Sequence, residues 1–473
     1  MNDPALRARS LQNLFESQRR AFAAHPCPGD HQRRAHLLAL ERALRAGAGE
    51  LAQAIHEDFG CRSTAETQLL EVFPSLEAIR HARRHVKRWM RPEARPVSLW
   101  FQPGRARVVW QPLGVVGIIV PWNYPLFLSL APLAAALAAG NRVMIKMSEL
   151  TPRTGQVLAR LVGNVFPDDL VAVVNGDAAM AREFGGLPFD HLLFTGSTAV
   201  GREVMRAAAA NLTPVTLELG GKSPAIVAPG FPLSEAADKI MYGKCANAGQ
   251  TCVAPDYVLV PAGTEHAFVD AARAAVARLY PTLAANPDYS AVVNARHYAR
   301  LAGYLEEARA AGATVLEINP AREILDPAAR KLAPALVLGA PEDLRVMQEE
   351  IFGPILPVVP YHDLDAALRY IAERPRPLAL YFFDRDPARI RRVLTETHSG
   401  GVTVNDVILH VAQESLPFGG VGPSGMGHYH GRHGFETFSK QKGVFLQSRL
   451  SGADLLKPPY GKRFAAMIRL LLR

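Results

Sequence analysis

The sequence predicts an α/β protein built on a doubly wound parallel sheet, and three observations carry that prediction. From Gly114 onward, short apolar segments alternate with amphipathic helical ones, the rhythm of βαβ units. The first segment, Val115-Val116-Gly117-Ile118-Ile119-Val120, is apolar without a break, as a strand covered on both faces must be. A second alternating region runs from about residue 224 to about residue 403. At 473 residues the chain is too long for one core, so the regions read as separate domains.

Residues 10–90 read as helical, because Leu37, Leu38, Leu40, Leu44, Leu51 and Ile55 recur at three- and four-residue steps. Pro92 and Pro96 end that region. Residues 97–101, a Gln102-Pro103-Gly104-Arg105 turn and residues 106–110 read as a β-hairpin. Its Trp100 and Phe101 mark either a contact between subunits or a hairpin packed on its own domain. Residues 115–120 then form a strand and 126–139 a helix closed by Gly140. Strands follow at 142–146, 171–174, 191–194 and 216–219, with helices at 150–166 and 198–210. In the second region, 257–260 and 379–383 read as strands, and 265–279 and 296–311 as helices.

Composition narrows the class. The chain is 49% hydrophobic and 21% charged, as in a soluble globular protein. Its four cysteines (Cys27, Cys61, Cys245, Cys252) contain no CxxC pair, which argues against a structural zinc site and fits a reducing, cytoplasmic setting. Charges at Asp3, Arg7 and Arg9 without an apolar stretch argue against a secretory signal. The longest apolar run, 126–139, is too short to span a bilayer. The formal charge is +9, with a dense basic run at Arg80-His81-Ala82-Arg83-Arg84-His85-Val86-Lys87-Arg88. Ile79, Val86 and Trp89 recur through it at helical spacing, so it reads as the solvated face of a helix rather than a nucleic-acid site. The basic tail from Lys462 to Arg473 reads as a terminal helix packed on its own chain or frayed; contact with a membrane surface or a neighbouring subunit is the alternative.

Several positions carry chemistry. Cys252 follows the polar, Gly-containing approach Asn247-Ala248-Gly249-Gln250-Thr251, where it is either a nucleophile presented at the mouth of an element or a buried small hydrophobe. Glu218, between Leu217 and Leu219, is a carboxylate inside an apolar strand, either a base whose pKa desolvation raises or a buried glutamate satisfied by backbone amides. Glu350 in Glu349-Glu350-Ile351-Phe352-Gly353-Pro354 is a weaker case of the same kind. In Pro121-Trp122-Asn123-Tyr124-Pro125, two prolines leave Asn123 at the apex of a turn, where its amide either donates to an oxyanion or simply forms the turn. Gly196-Ser197-Thr198-Ala199-Val200-Gly201 follows a strand and opens a helix, a place where backbone N–H groups meet phosphate. Lys146 and Glu149 stand just past another strand end, either as ribose ligands or as a surface salt pair. Gly420-Val421-Gly422-Pro423-Ser424-Gly425 matches G-x-G-x-x-G literally, but no strand leads into it and Pro423 sits inside it, so it reads as a loop. His428, His430 and His433 lack an acidic or Cys partner at ligand spacing, so no metal is assigned to them.

Taken in order, Pro121–Pro125, Lys146–Glu149, Phe194–Gly201, Glu218–Pro224, Gly249–Cys252, Glu349–Pro354 and Pro417–Gly420 resemble the motifs of the aldehyde dehydrogenase family. Gly-Gln-Thr-Cys-Val-Ala-Pro-Asp-Tyr and Ser-Gly-Met-Gly-His-Tyr-His-Gly are similar to the class 3 branch, and within it to coniferyl aldehyde dehydrogenases. The resemblance implies the aldehyde dehydrogenase-like fold: a dinucleotide-binding domain (1–95 and 111–219), a catalytic α/β domain (220–420), a small β-hairpin bridging region (96–110 and 435–450) and a tail (451–473). It implies oxidation of an aldehyde to its acid, with NAD or NADP as cofactor and a homodimer as the assembly. Cys252 would be the nucleophile, Glu218 the base that activates the deacylating water, and Asn123 with the Cys252 backbone N–H the oxyanion hole. Lys146 and Glu149 would hold the adenosine ribose. Trp122, Gly196, Ser197 and Val200 would line the rest of the cofactor site, and Glu350 and Phe352 would position the nicotinamide end. Met147 stands where many relatives have proline or leucine, which leaves NAD against NADP open. A long-chain aliphatic aldehyde, or reduction of an activated acyl group on the same fold, are the alternative readings.

Overall fold

The computed structural model describes residues 4–450, 452 and 457–472, and side chains from residue 10 onward within them. Asp3 and Arg473 lie outside that set, as do the side chains of Arg7 and Arg9. The chain forms three sheets. In the six-stranded sheet, Val115–Ile119, Arg142–Lys146, Val171–Val174, His191–Thr195 and Val215–Glu218 run parallel. If those five are counted in chain order, the spatial order is third, second, first, fourth, fifth. The topology therefore reverses between Val115–Ile119 and His191–Thr195, the kind of crevice in which doubly wound sheets bind ligands. The helix Phe127–Ala139 packs behind it with every residue buried, which explains its unbroken apolar sequence despite Pro132. The sixth strand is short and antiparallel: Gly425–Met426 returns to pair with Glu218 and Leu217.

The second sheet has seven strands, parallel except for Thr314–Glu317 at one edge. It contains Tyr257–Pro261 and Ala379–Phe383 where the sequence predicts strands, flanked by the helices Glu265–Leu279 and Ala295–Ala310.

The third sheet corrects one expectation. Its strands are Glu93–Arg95, Arg105–Pro112 and Ser439–Leu446, all antiparallel. Residues 97–101 are not a strand: Leu99–Phe101 is a 3-10 turn, closed by Phe101 N–H to Ser98 O at 2.9 Å. Apolar character there does not amount to strand character. Leu99, Trp100 and Phe101 are exposed in succession, with no alternation between two faces. Glu93 is instead held by Arg432 and by the Trp110 indole N–H, which fixes the strand upstream of Pro96.

The basic run lies on the helix Phe73–Trp89, which buries Ala78, Ile79, Ala82, Val86 and Trp89 and pairs Arg80 with Glu41 and Glu77. The tail forms the helix Lys462–Leu471, whose Phe464, Met467, Ile468 and Leu471 are half-buried along one face while its other residues are exposed. Among the described residues, no helix is long and apolar enough to cross a membrane.

Asn141 joins two of the sheets. Its buried side chain accepts from Leu113 and Gly114 N–H at 2.7 and 3.0 Å and donates to Phe438 O at 2.8 Å. Asn141→Ala leaves these buried groups unpaired and is expected to cost about 3 kcal/mol. A lower midpoint in urea unfolding checks this.

Candidate active site

The site forms where the topology reverses. The turn Pro121-Trp122-Asn123 leaves the strand Val115–Ile119, and Gly196-Ser197 leaves its neighbour His191–Thr195. Ser197 caps the helix Thr198–Ala209, its hydroxyl accepting from Val200 N–H at 3.4 Å. Cys252 comes from the second sheet's side of the molecule. The helix Leu233–Cys245 ends in a left-handed run at Asn247, Ala248 and Gly249. A Cβ at Gly249 would overlap the carbonyl of Gly353, so glycine there lets the cysteine loop lie directly on the Glu350–Gly353 backbone. Gln250, fully buried, holds the loop by donating to Asn247 O and Ala291 O and accepting from Val293 N–H at 2.8 Å.

Two cavities meet at Cys252. One is lined by Trp122, Asn123, Gly196, Ser197, Gly220, His297, Arg300, Glu350 and Phe352. The other is almost wholly apolar, with Leu70, Phe127, Leu128, Leu378, Ile408, Val411 and Phe418 in its walls. Thr195, Glu218, Leu219 and Cys252 belong to both. Thus Cys252, Glu218 and Asn123 share one cleft, and Trp122, Gly196, Ser197, Glu350 and Phe352 line the branch away from the apolar pocket. Lys146, Glu149 and Val200 stand outside this lining. Lys146 is not a surface salt pair: it is buried and donates to Met147 O and Gly176 O at 2.7 and 2.8 Å, leaving one N–H for a ligand. Glu149 and Val200 are exposed at neighbouring strand and helix ends.

The electrostatics are those of a dry site crowded with acidic groups. Burial holds Glu218 well above the usual carboxylate range, and among the described residues neither of its oxygens has a hydrogen-bond partner. Burial and nearby Asp256 push Glu350 up to about 8. Its carboxylate occupies the space a Cβ at Gly220 would take. Desolvation, then Glu350 and Glu218, push the Cys252 thiol up to about 12, against the smaller opposing effect of the Cys252 and Val253 amides. Asn123 is buried, and one N–H of its amide donates to Gln250 O at 3.1 Å. The second N–H is left for a ligand in the cleft.

The three histidines separate. His428 and His433 approach each other with ring centres 5.2 Å apart, while His430 is buried and stacked on Phe418. Among the described residues, no group of three or more His, Cys, Asp or Glu is placed to hold a metal. The G-x-G-x-x-G match is a loop that leads into the edge strand Gly425–Met426.

A model of the aldehyde dehydrogenase family matches residues 4–444. The chain belongs to the aldehyde dehydrogenase family. It is 56% identical over 458 residues to a protein of Pseudomonas aeruginosa named "Probable coniferyl aldehyde dehydrogenase", covering 97% of this chain and 95% of that one. Among solved structures it is similar to the substrate-bound state of Staphylococcus aureus AldH, with a TM-score of 0.91, 36% identity and coverage of 97% and 99%. A P. syringae indole-3-acetaldehyde dehydrogenase mutant in complex with NAD+ and IAA superposes with a TM-score of 0.84 at 25% identity, covering 93% of this chain and 89% of that one.

Sequence reasoning missed His297 and Arg300, which reach the cleft from the helix Ala295–Ala310. Arg300 donates to Ile351 O at 2.9 Å and so braces the Glu350 segment. It also missed the walls of the apolar pocket, whose side chains read in sequence like any core residue.

In this aldehyde dehydrogenase a thiol raised to about 12 is neutral at physiological pH. Alkylation of Cys252 by iodoacetamide without cofactor, followed at its own peptide by mass spectrometry, is expected to keep accelerating beyond about pH 9.5. An ordinary thiol, half ionised at about pH 8.5, would level off by about pH 9.5.

Proposed function

We propose that the chain oxidises an aromatic or cinnamyl aldehyde such as coniferaldehyde to its acid, in the cytoplasm, with NAD or NADP as cofactor. The observation that carries this reading is the meeting of two cavities at Cys252 and Glu218, one apolar and one opening at the strand ends. The name of the 56% identical relative supports the choice of aldehyde, and the NAD+ complex of the indole-3-acetaldehyde dehydrogenase supports the cofactor. The apolar pocket suits a flat, hydrophobic aldehyde, with the phenol of Tyr124 occupied by Thr251 at 2.7 Å.

The second cavity fits a dinucleotide. Ser197 and the N-terminus of the helix it caps suit a pyrophosphate. Lys146 and Glu149 suit the adenosine ribose, with Val200 beside it. Trp122 and Phe352, their rings 5.4 Å apart, suit the nicotinamide end beside Glu350. When bound, oxidised NAD(P) supplies the hydride acceptor and a positive charge that opposes the carboxylates around Cys252.

Cys252 gives up its thiol proton to solvent as Sγ attacks the aldehyde carbon, and the resulting oxyanion is held by the free N–H of Asn123 and the Cys252 amide. Loss of hydride from that carbon leaves a thioester on Cys252. Glu218, ionised at this stage, takes a proton from water as the water attacks the thioester, and the acid departs from Sγ. The balance is aldehyde, NAD(P)+ and water giving acid, NAD(P)H and a proton. Glu218 favours oxidation over reduction of an acyl group, because a reductive enzyme has no use for a base that activates water.

We further propose the division into a dinucleotide-binding part (1–95 and 111–219), a catalytic part (220–420) and a bridging sheet (96–110 and 435–450) that pairs two copies as a dimer. The exposed Trp100, Phe101, Phe445 and Leu446 on and beside that sheet support the pairing. The four free cysteines support a reducing compartment.

Cys252→Ala is expected to abolish NAD(P)H formation while cofactor binding, measured by titration, persists. Turnover in that variant would overturn the scheme. Glu218→Gln is expected to keep the first-turnover burst and to slow the steady state by roughly a hundredfold or more, the contribution of a general base. Coniferaldehyde and cinnamaldehyde are expected to differ by less than about a hundredfold in kcat/KM, because an apolar wall discriminates weakly against a ring hydroxyl. Failure with every aldehyde in a cinnamyl, benzyl and straight-chain panel would sink the reading.

A further inference from the structure

Arg62 has no evident place in the chemistry, yet it is among the most costly residues in the molecule to bury. It is fully buried, just beyond the helix Asp30–Phe59, with its guanidinium carbon 5.1 Å from the Phe59 ring centre and 4.8 Å from that of Tyr124. A buried guanidinium persists only where something needs its donors. One of them, Nη1, donates to the backbone carbonyl of Asn123 at 2.7 Å. The same carbonyl accepts from the Asn247 side chain at 3.1 Å. Nη2 lies 3.5 Å from Glu71, which is equally buried. Glu71 sits in a π-helical turn, Gln68–Val72, of the kind found at functional sites. Its second oxygen accepts from Leu126 N–H at 2.8 Å and Phe127 N–H at 3.2 Å, where the helix Phe127–Ala139 begins.

One ion pair therefore holds the turn that carries Asn123 at its middle and at its exit. Arg62 fixes the carbonyl at 123, and Glu71 fixes the amides at 126 and 127. The Asn123 side chain hangs from the turn these contacts hold, so a shift of the turn moves its amide, and a donor misplaced by about 1 Å can lose about a hundredfold in rate. We propose that Arg62 and Glu71 are positioning residues that hold the Asn123 amide in its oxyanion-binding orientation. The proposal rests on the reading of Asn123 as the oxyanion donor.

The test is a set of double-variant cycles read in kcat. Arg62→Lys keeps the charge but loses the planar fork. Glu71→Gln is nearly isosteric, so it keeps the test open if the arginine variant does not fold. Each is expected to lower kcat about ten- to a hundredfold while the cofactor Kd stays within about twofold of the parent. In an Asn123→Ala background the same substitutions should change kcat by less than about twofold, because the group they position is gone. Equal losses in both backgrounds would mean a merely structural role, and parental kcat in both single variants would overturn the proposal outright. If Asn123→Ala itself leaves kcat unchanged, the oxyanion reading fails instead, and the two failures are told apart.

Discussion

A single dry space holds a thiol and two carboxylates, and most of the site follows from the cost of ionising them together. Glu218 is buried, Cys252 and Glu350 are half-buried in the cleft wall, and the two carboxylates add to the cost of a charge on the thiol. Few donors face them: the Cys252 and Val253 amides at the thiol, the Gly221 amide at Glu350 and one N–H of Asn123. Such a site supports one anion at a time, and the proposed chemistry calls for one at a time. The thiolate gives way to an oxyanion, and the oxyanion to a carboxylate that takes a proton from water. The low dielectric that makes each charge costly also strengthens every hydrogen bond offered to it.

That arrangement depends on two sheets meeting edge to loop. The first supplies Asn123, Gly196 and Glu218 from the ends of adjacent strands, and the second supplies Cys252 and Glu350 from loops. Loops are imprecise unless clamped, and the clamps here are buried side chains. Gln250 fixes the cysteine loop, Tyr381 donates to Val253 O, and Arg300 braces the Glu350 segment. The apolar pocket has one less relaxed wall residue: Ile408 takes left-handed backbone, unusual for a β-branched side chain.

Much of this is legible in the sequence. Strand ends can be read from unbroken apolar runs, and Glu218 at the end of its strand, with Asn123 and Ser197 just past theirs, stands where doubly wound sheets place their ligands. Cys252 and Glu350 can be read only through motifs, because their meeting depends on contacts between distant segments. The hairpin is misplaced from sequence because the partner of Arg105–Pro112 on its other side, Ser439–Leu446, is remote in the chain. Leu70, Ile408 and Val411 are invisible as pocket walls, since an apolar side chain facing a cavity is the same letter as one facing a core. Arg62 escapes notice for the opposite reason: a lone arginine reads as surface until its burial is seen.

The short antiparallel strand Gly425–Met426 closes the edge of the first sheet against Glu218 itself, and Ser424 O accepts from Leu219 N–H at 3.1 Å. The strand that carries the proposed water-activating carboxylate is thus completed by a segment made long after it. During synthesis on the ribosome, a chain with its thiol and carboxylate already emerged still lacks the edge that seats that carboxylate. The edge that seats this carboxylate is therefore present only once residues as far as Met426 are made and have folded back onto Leu217 and Glu218.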